Sequence, residues 1–237
     1  MDAHPQRWVI RFNSPEAVAF DGSHIWVSNT AANSVTEIAA SDGSFLANLT
    51  ANISGPLWLA FDGTHLWVTN TTSNSVTEID AATGTVVSFF NACSYGFSNP
   101  RHIAFDGVHL WVVNQRSSVG GVDSITEMNA TNGNPAGTLT AASLGLSTPD
   151  TIVFDGVHLW VANVGVAGNS VSEFKAVDGS FVQTVTGIAT PRALAFDGRR
   201  IWVAGGASNV VTLLDADTGT VFKFLSLGTY SFSNPGA

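Results

Sequence analysis

Apolar and polar residues alternate along most of the chain in runs of about five or six, broken by Gly, Asn, Asp and Ser, which is the pattern of short, half-buried strands. No stretch of useful length carries the 3.6-residue period of an amphipathic helix, so helices are not expected. The runs also recur. Phe20-Asp-Gly-Ser-His-Ile-Trp-Val returns as Phe61-Asp-Gly-Thr-His-Leu-Trp-Val, Phe105-Asp-Gly-Val-His-Leu-Trp-Val, Phe154-Asp-Gly-Val-His-Leu-Trp-Val and Phe196-Asp-Gly-Arg-Arg-Ile-Trp-Val. Successive Phe positions lie 41, 44, 49 and 42 residues apart, and a proline precedes each Phe by five residues: Pro15, Pro56, Pro100, Pro149 and Pro191. Each unit predicts four strands. Strand A is Pro-x-x-x-Ala-Phe, strand B is His-Leu-Trp-Val-x-Asn, strand C is Ser-Val-Thr-Glu-Ile-Asp, and strand D resembles Thr85-Val-Val-Ser-Phe-Phe. Four antiparallel strands repeated at this period make a β-propeller blade.

The expectation is therefore an all-β, single-domain β-propeller over residues 1–237, with five four-stranded blades of about 41–49 residues. Trp8-Val-Ile-Arg-Phe-Asn resembles a strand D ahead of the first unit, an extra strand that closes the ring or adds to an edge. Ser233-Asn-Pro matches Ser98-Asn-Pro, which leads into a strand A. The alternative is thus six blades, reached through truncation of a longer parent or through oligomerisation across an unclosed edge.

Residues present in every unit are most simply explained by the blade. The Asp-Gly pairs are A–B hairpin turns, where glycine supplies a positive φ. Trp26, Trp67, Trp111, Trp160 and Trp202 sit mid-strand B and should fill the space between blades. Pairing strand B with strand C places Trp26 opposite Glu37, so His24 and Glu37 become diagonal neighbours on one face. The same register relates His65 to Glu78, His109 to Glu127 and His158 to Glu173, while the fifth unit replaces both members with Arg200 and Leu213. Joint presence and joint loss argue for a structural His–Glu pair rather than a ring of metal-binding histidines. Asn29, Asn70, Asn114 and Asn163 are expected to cap the B–C turns.

Composition narrows the function classes. Lys and Arg number 9 against 18 Asp and Glu, a formal charge of -9, and no basic cluster offsets it. No nucleic-acid partner is expected on that ground. No apolar run approaches the ~20 residues of a membrane-spanning helix, so no membrane partner is expected. The N-terminal residues lack a signal-peptide pattern, which suits a cytoplasmic or an already processed secreted protein. Cys93 is the single cysteine, leaving no internal disulfide and no multi-thiolate zinc site. Lying in a D–A loop with no base identifiable beside it, it is read as incidental.

Candidate chemistry lies where the units differ. In a propeller the D–A and B–C loops share the mouth of the central channel, and the start of strand A is innermost. The two residues after each proline are Glu16-Ala17, Leu57-Trp58, Arg101-His102, Asp150-Thr151 and Arg192-Ala193. Four of these ten are charged in a chain only 11% charged overall, so polar groups concentrate where a ligand is expected. Glu16, His102 and Asp150 are the catalytic candidates. Glu16 and Asp150 are also candidates to hold a divalent cation (calcium, magnesium or zinc), or to act as base and acid. His102 suits proton transfer. Trp58, Arg101, Arg192 and Arg116 are the ligand-binding candidates, the arginines for a carboxylate, phosphate or developing oxyanion and Trp58 as a flat apolar wall. Tyr95 and Phe97 join Arg116 as rim residues. These features suit a small-molecule hydrolase or lyase, His- or metal-assisted, or else a non-catalytic module binding a small molecule or protein in the same funnel. Glu–Arg and Asp–Arg pairing that merely stiffens the mouth is the plainer alternative.

The pattern Pro…Phe-Asp-Gly-x-His-Leu-Trp-Val-x-Asn…Asn-Ser-Val-Thr-Glu-Ile-Asp…Thr-Gly, over residues 15–235, resembles the NHL, YVTN and virginiamycin B lyase-like bacterial propellers. The resemblance implies the propeller fold. Among functions it implies lyases, hydrolases and binding modules alike. Virginiamycin B lyase-like enzymes use a histidine and acidic residues with magnesium at the channel mouth, a set that Glu16, His102 and Asp150 imitate. Their paired catalytic His and Glu on the late blades have no counterpart found here. The propeller lactonases and phosphotriesterases begin with Glu-Gly-Pro at their metal site, whereas this chain has Ser14-Pro-Glu, with the glutamate after the proline.

Overall fold

The computed structural model describes residues 12–115, 122–140, 144–165, 169–206 and 209–226. They form twenty strands in five antiparallel sheets, each sheet taking its four strands in sequence order. Blade 1 comprises β1 (Pro15–Phe20), β2 (His24–Asn29), β3 (Ser34–Ala39) and β4 (Phe45–Leu49). Blade 2 comprises β5 (Pro56–Phe61), β6 (His65–Asn70), β7 (Ser75–Asp80) and β8 (Thr85–Asn91). A single helical turn, α1 (Ala92–Tyr95), follows and carries the exposed Cys93. Blade 3 comprises β9 (Pro100–Phe105), β10 (His109–Asn114), β11 (Ser124–Asn129) and β12 (Pro135–Thr140). Blade 4 comprises β13 (Pro149–Phe154), β14 (His158–Asn163), β15 (Ser170–Lys175) and β16 (Phe181–Thr186). Blade 5 comprises β17 (Pro191–Phe196), β18 (Arg200–Gly205), β19 (Val210–Asp215) and β20 (Val221–Ser226). The five-bladed, all-β architecture expected from the repeat is the one observed. The extra strand expected at Trp8–Asn13 falls largely outside the described residues.

The chain divides after Asn91 into two compact units, blades 1 and 2 in the first and blades 3 to 5 in the second. In each unit consecutive blades pack face to face. Trp26, Val35 and Ala17 of blade 1 meet Leu59, Leu66, Val68 and Ile79 of blade 2. In the second unit, Trp111, Val113 and Ile125 meet Ile152, Leu159, Val161 and Phe174, and Trp160 and Val171 in turn meet Ile201, Val203 and Leu214. In each of these three contacts the earlier blade contributes a tryptophan-bearing face and the later blade a face of Ile, Leu and Val. Removing these apolar surfaces from water is the main stabilising term of each interface.

The Asp-Gly turn does more than reverse the chain. Gly22, Gly63, Gly107, Gly156 and Gly198 have φ between 94° and 104°, a region open to glycine alone at little cost. The aspartate beside each glycine is a hub. Asp155 Oδ1 accepts the amides of Val157 (2.8 Å) and His158 (2.6 Å), while Oδ2 accepts Trp160 Nε1 (2.7 Å). All five aspartates accept their blade's tryptophan N–H, so Trp26, Trp67, Trp111 and Trp160 bury their rings without orphaning the donor. The β2–β3 register sets Trp26 opposite Glu37, as expected, and His24 Nε2 lies 3.7 Å from Glu37 Oε1. The histidines also lie beside the turn aspartate, His24 Nδ1 at 2.9 Å from Asp21 Oδ2, so the expected pair is a His–Glu–Asp cluster. In blade 5, Arg200 instead lies 4.0 Å over the Phe222 ring.

One expectation needs correction. Asn29, Asn70, Asn114 and Asn163 are buried and do not cap the B–C turns. Asn163 Nδ2 donates to Ser172 Oγ (2.9 Å), and its Oδ1 accepts the amide of Ser147 (3.1 Å) in the D–A loop. Asn70 and Asn114 hold Ser54 and Ser98 in the same way. A strand-end asparagine offers a donor and an acceptor at once, so it ties strands B and C to the segment that enters strand A.

Candidate functional site

Strand A opens with a proline, which has no N–H to give to a ladder, and the ladder is interrupted directly after it. The register shifts between Pro15 and Val18, between Pro56 and Leu59, between Pro149 and Thr151, and between Pro191 and Ala193. Such a bulge turns the residues after the proline out of the regular pleat. In the first unit the freed amides are taken up by strand B hydroxyls, Ala17 N by Ser28 Oγ (2.9 Å) and Trp58 N by Thr69 Oγ1 (3.0 Å). The residue before each proline adopts a left-handed conformation: Ser14, Gly55, Asn99, Thr148 and Thr190 have φ between 42° and 62°. At the Ser and Thr positions that conformation costs free energy. Side chains from the preceding blade hold it at Gly55 and Thr148. Asn33 Oδ1 accepts Gly55 N (2.7 Å), and Asp123 Oδ2 accepts Thr148 N (2.8 Å).

Within the second unit, strands β9, β13 and β17 are neighbours, and each presents a charged residue directly after its proline. Asp150 stands between two guanidiniums. Its Oδ1 accepts Arg101 Nε (2.9 Å) and lies 2.8 Å from Arg101 Nη2, while Arg192 Nη1 lies 3.4 Å from its Oδ2. The Asp150 carboxylate is largely buried, Arg101 is partly exposed and Arg192 is half exposed. The aliphatic stem of Arg192 lies across Gly206, where any Cβ would approach Arg192 Cγ to 2.8 Å. Gly206 is thus a positioning residue that sequence reading missed. The signal lay in the fifth unit, which follows Trp-Val-Ala with Gly205-Gly206 where the first four units place the strand-end asparagine followed by Thr30, Thr71, Gln115 or Val164.

His102, next to Arg101 on β9, is partly buried. Burial drives its pKa down to about 3, and the neighbouring Arg101 charge pushes the same way against a backbone hydrogen bond at Ile103. It is therefore a neutral imidazole at physiological pH and a weak base. In the first unit Glu16 is exposed at the start of β1, and Trp58 is half-buried against the blade 1–blade 2 core, where it packs as part of the interface. Phe97 is buried and stacks on Tyr95 at 5.4 Å between centroids, so these two expected rim residues pack on one another. Arg116 lies outside the described residues. Structure thus brings together Arg101, Asp150 and Arg192. Among the described residues, no group of three or more His, Cys, Asp or Glu is placed to hold a metal ion.

The described residues also form clefts at the opposite strand ends, where the A–B turns of consecutive blades meet. The cleft between blades 3 and 4 has a volume of about 450 Å³ and is lined by Val108, His109, Phe154, Val157, His158 and Lys175, among others.

No protein-family model matches the chain, and no curated protein matches its sequence. Solved structures do match its fold. Hydrazine synthase of Kuenenia stuttgartiensis matches with a TM-score of 0.72 at 20% identity, over 94% of this chain and 70% of that one. A streptogramin B lyase structure matches with a TM-score of 0.72 at 17% identity, over 94% and 72%. A nidogen/laminin complex matches with a TM-score of 0.72 at 15% identity, over 90% and 80%. Their printed activities differ, and at these identities the likeness concerns architecture alone. The chain shares its β-propeller fold with streptogramin B lyase, a protein of the virginiamycin B lyase-like kind that its repeat resembles.

Proposed function

We propose that the protein is a ligand-binding propeller module whose arginine pair takes a small molecule bearing a carboxylate or phosphate. The observation that carries this reading is the sharing of Asp150 by two guanidiniums. One carboxylate orients two cations and leaves one positive charge in excess, within a chain of formal charge -9. Planar guanidinium donors match the oxygens of a carboxylate or phosphate, and the half-exposed Arg192 is the one placed to meet a ligand.

Calorimetric titration with succinate and with inorganic phosphate at low ionic strength tests the proposal. Saturable binding is expected, weakening as salt is raised. Arg192→Ala should weaken it by about tenfold or more, the equivalent of one charge-assisted hydrogen bond. No saturable binding of either anion, or binding indifferent to Arg192→Ala, would overturn the proposal.

A hydrolase or lyase is the second reading, supported by the fold likeness to streptogramin B lyase. Glu16, His102 and Asp150 are its candidate groups. It asks more of them, because a general base works best with a pKa near the operating pH, and Asp150 already faces two cations. Turnover of an ester, lactone or phosphotriester that disappears in folded His102→Ala or Asp150→Asn would place this reading above the first. Loss of that turnover on chelation would add a divalent cation.

A further inference from the structure

Three clefts between consecutive blades open at the A–B turns, and they are built from corresponding strand positions. The cleft between blades 3 and 4 measures about 450 Å³, against about 260 Å³ between blades 1 and 2 and about 220 Å³ between blades 4 and 5. Small-molecule sites occupy roughly 300–1,000 Å³, so of the three the first alone reaches that size. Its chemistry differs too. The residue after the turn glycine is Ser23 in blade 1 and Thr64 in blade 2, whereas Val108 and Val157 line the larger cleft. Asp80, at the end of strand C, lines the cleft between blades 1 and 2, and Lys175 stands at that position in the larger one. Two residues further on, Ala82 and Asp217 line the smaller clefts and Val177 the larger.

Exposed turns ordinarily carry polar residues, because water is their neighbour. Val108, Val157 and Val177 are instead 57%, 64% and 85% exposed around one cleft. Phe154, packed against the core between the two blades, adds an aromatic surface to the same lining. Apolar surface gathered in this way marks a binding site. The charge that the cleft offers is positive. Lys175 is exposed and is one of only two lysines in the chain. The acid of the lining, Asp106, is already engaged: its carboxylate accepts the amides of Val108 and His109 and the indole N–H of Trp111, and its side chain is 6% exposed. Asp178, three residues beyond Lys175, is not part of the lining and accepts the Ser180 amide (2.9 Å). His109 and His158 each stand beside the Asp and Glu of their own blade.

We propose that the cleft between blades 3 and 4 binds a small carboxylic acid with an apolar body, the body against the valines and Phe154 and the carboxylate on the Lys175 ammonium. Lysine suits this task, since its methylene stem lies along apolar surface while its head reaches a charge. Removing the body from water supplies most of the affinity, and the exposed ion pair sets the orientation. The site lies at the opposite strand ends from the arginine pair, so neither reading depends on the other.

Calorimetric titration with octanoate and with naphthoate tests this, with acetate as the charge without a body and octanol as the body without a charge. At least one of the two acids should bind saturably, and acetate and octanol should bind at least about tenfold more weakly. Two variants locate the site by installing what the cleft between blades 1 and 2 carries. Lys175→Asp should weaken binding of the acid by at least about tenfold. Val108→Ser combined with Val177→Ala should weaken it by at least about fourfold, the equivalent of one buried methylene. All three positions are exposed, and far-UV circular dichroism checks folding, with Lys175→Gln as the replacement if Lys175→Asp unfolds. No saturable binding of either acid overturns the proposal. So does octanol that binds as tightly as the acids, or binding that the valine substitutions leave intact. Binding that Lys175→Asp leaves intact overturns it as well, since that pattern belongs to the arginine pair.

Discussion

The aspartate of each Asp-Gly turn shows how one side chain organises a blade. Asp21 accepts the amides of Ser23 and His24 and the indole N–H of Trp26, and lies against the His24 ring. Burial alone would raise its pKa, but those donors outweigh burial and hold it at about 2. The paired glutamates go the other way. Burial raises Glu37, Glu78, Glu127 and Glu173, against the pull of their histidines. His102 offers the clearest measurement at this scale. Its native pKa of about 3 lies below the ordinary 6.5, so between those values the unfolded chain takes a proton that the native chain refuses. Its contribution to stability is complete above pH 6.5 and is lost as the pH falls toward 3. Urea midpoints across that range should decline with a slope of at most about 1.4 kcal/mol per pH unit from this group. His102→Gln should remove that share of the slope, and an unchanged slope would contradict the assignment. The turn role of Asp-Gly was legible in the sequence. The role of the aspartate as acceptor for the tryptophan was not, because it depends on a side-chain direction that spacing alone does not give.

Elements are joined to the site through the strand-end asparagines. Strand boundaries were readable to within a residue or so, since proline opens strand A, the turn glycines open strand B, and alternation marks the rest. The asparagine role was misjudged for a physical reason: Asn163 is next to the B–C turn in sequence but next to the D–A loop in space. Replacing Asn163 by alanine leaves the Ser147 amide and the hydroxyls of Ser170 and Ser172 without this partner. Urea denaturation should register a cost of about 2–3 kcal/mol. The same change loosens the segment entering Pro149 and Asp150, so phosphate or succinate affinity should fall with it. Asn29→Ala in blade 1 should lower stability to a similar degree and leave that affinity unchanged. Equal effects of the two substitutions on binding would separate the asparagines from the arginine site.

At the scale of the molecule, the same residue has different worth in different blades. Trp160 is sealed between blades 4 and 5, whereas Trp202 is partly open to water. Trp160→Ala should cost about 3–5 kcal/mol, and Trp202→Ala less than half as much, because exposed area contributes little to burial. Urea midpoints of the two variants decide this, and equal costs would mean that Trp202 is covered in solution. The sequence by itself determined the blades. A repeat that places Pro, Phe, Asp-Gly, Trp and alternating apolar residues at constant offsets has one way to pair locally, and local pairing needs no knowledge of the rest of the chain. It also marked the residues after each proline as the variable ones. Tertiary structure alone decided which of these meet: Arg101, Asp150 and Arg192 are 49 and 42 residues apart in the chain and touch through packing of consecutive blades. It also decided that His102 is a neutral group, because burial, unlike spacing, is a property of everything packed around a residue.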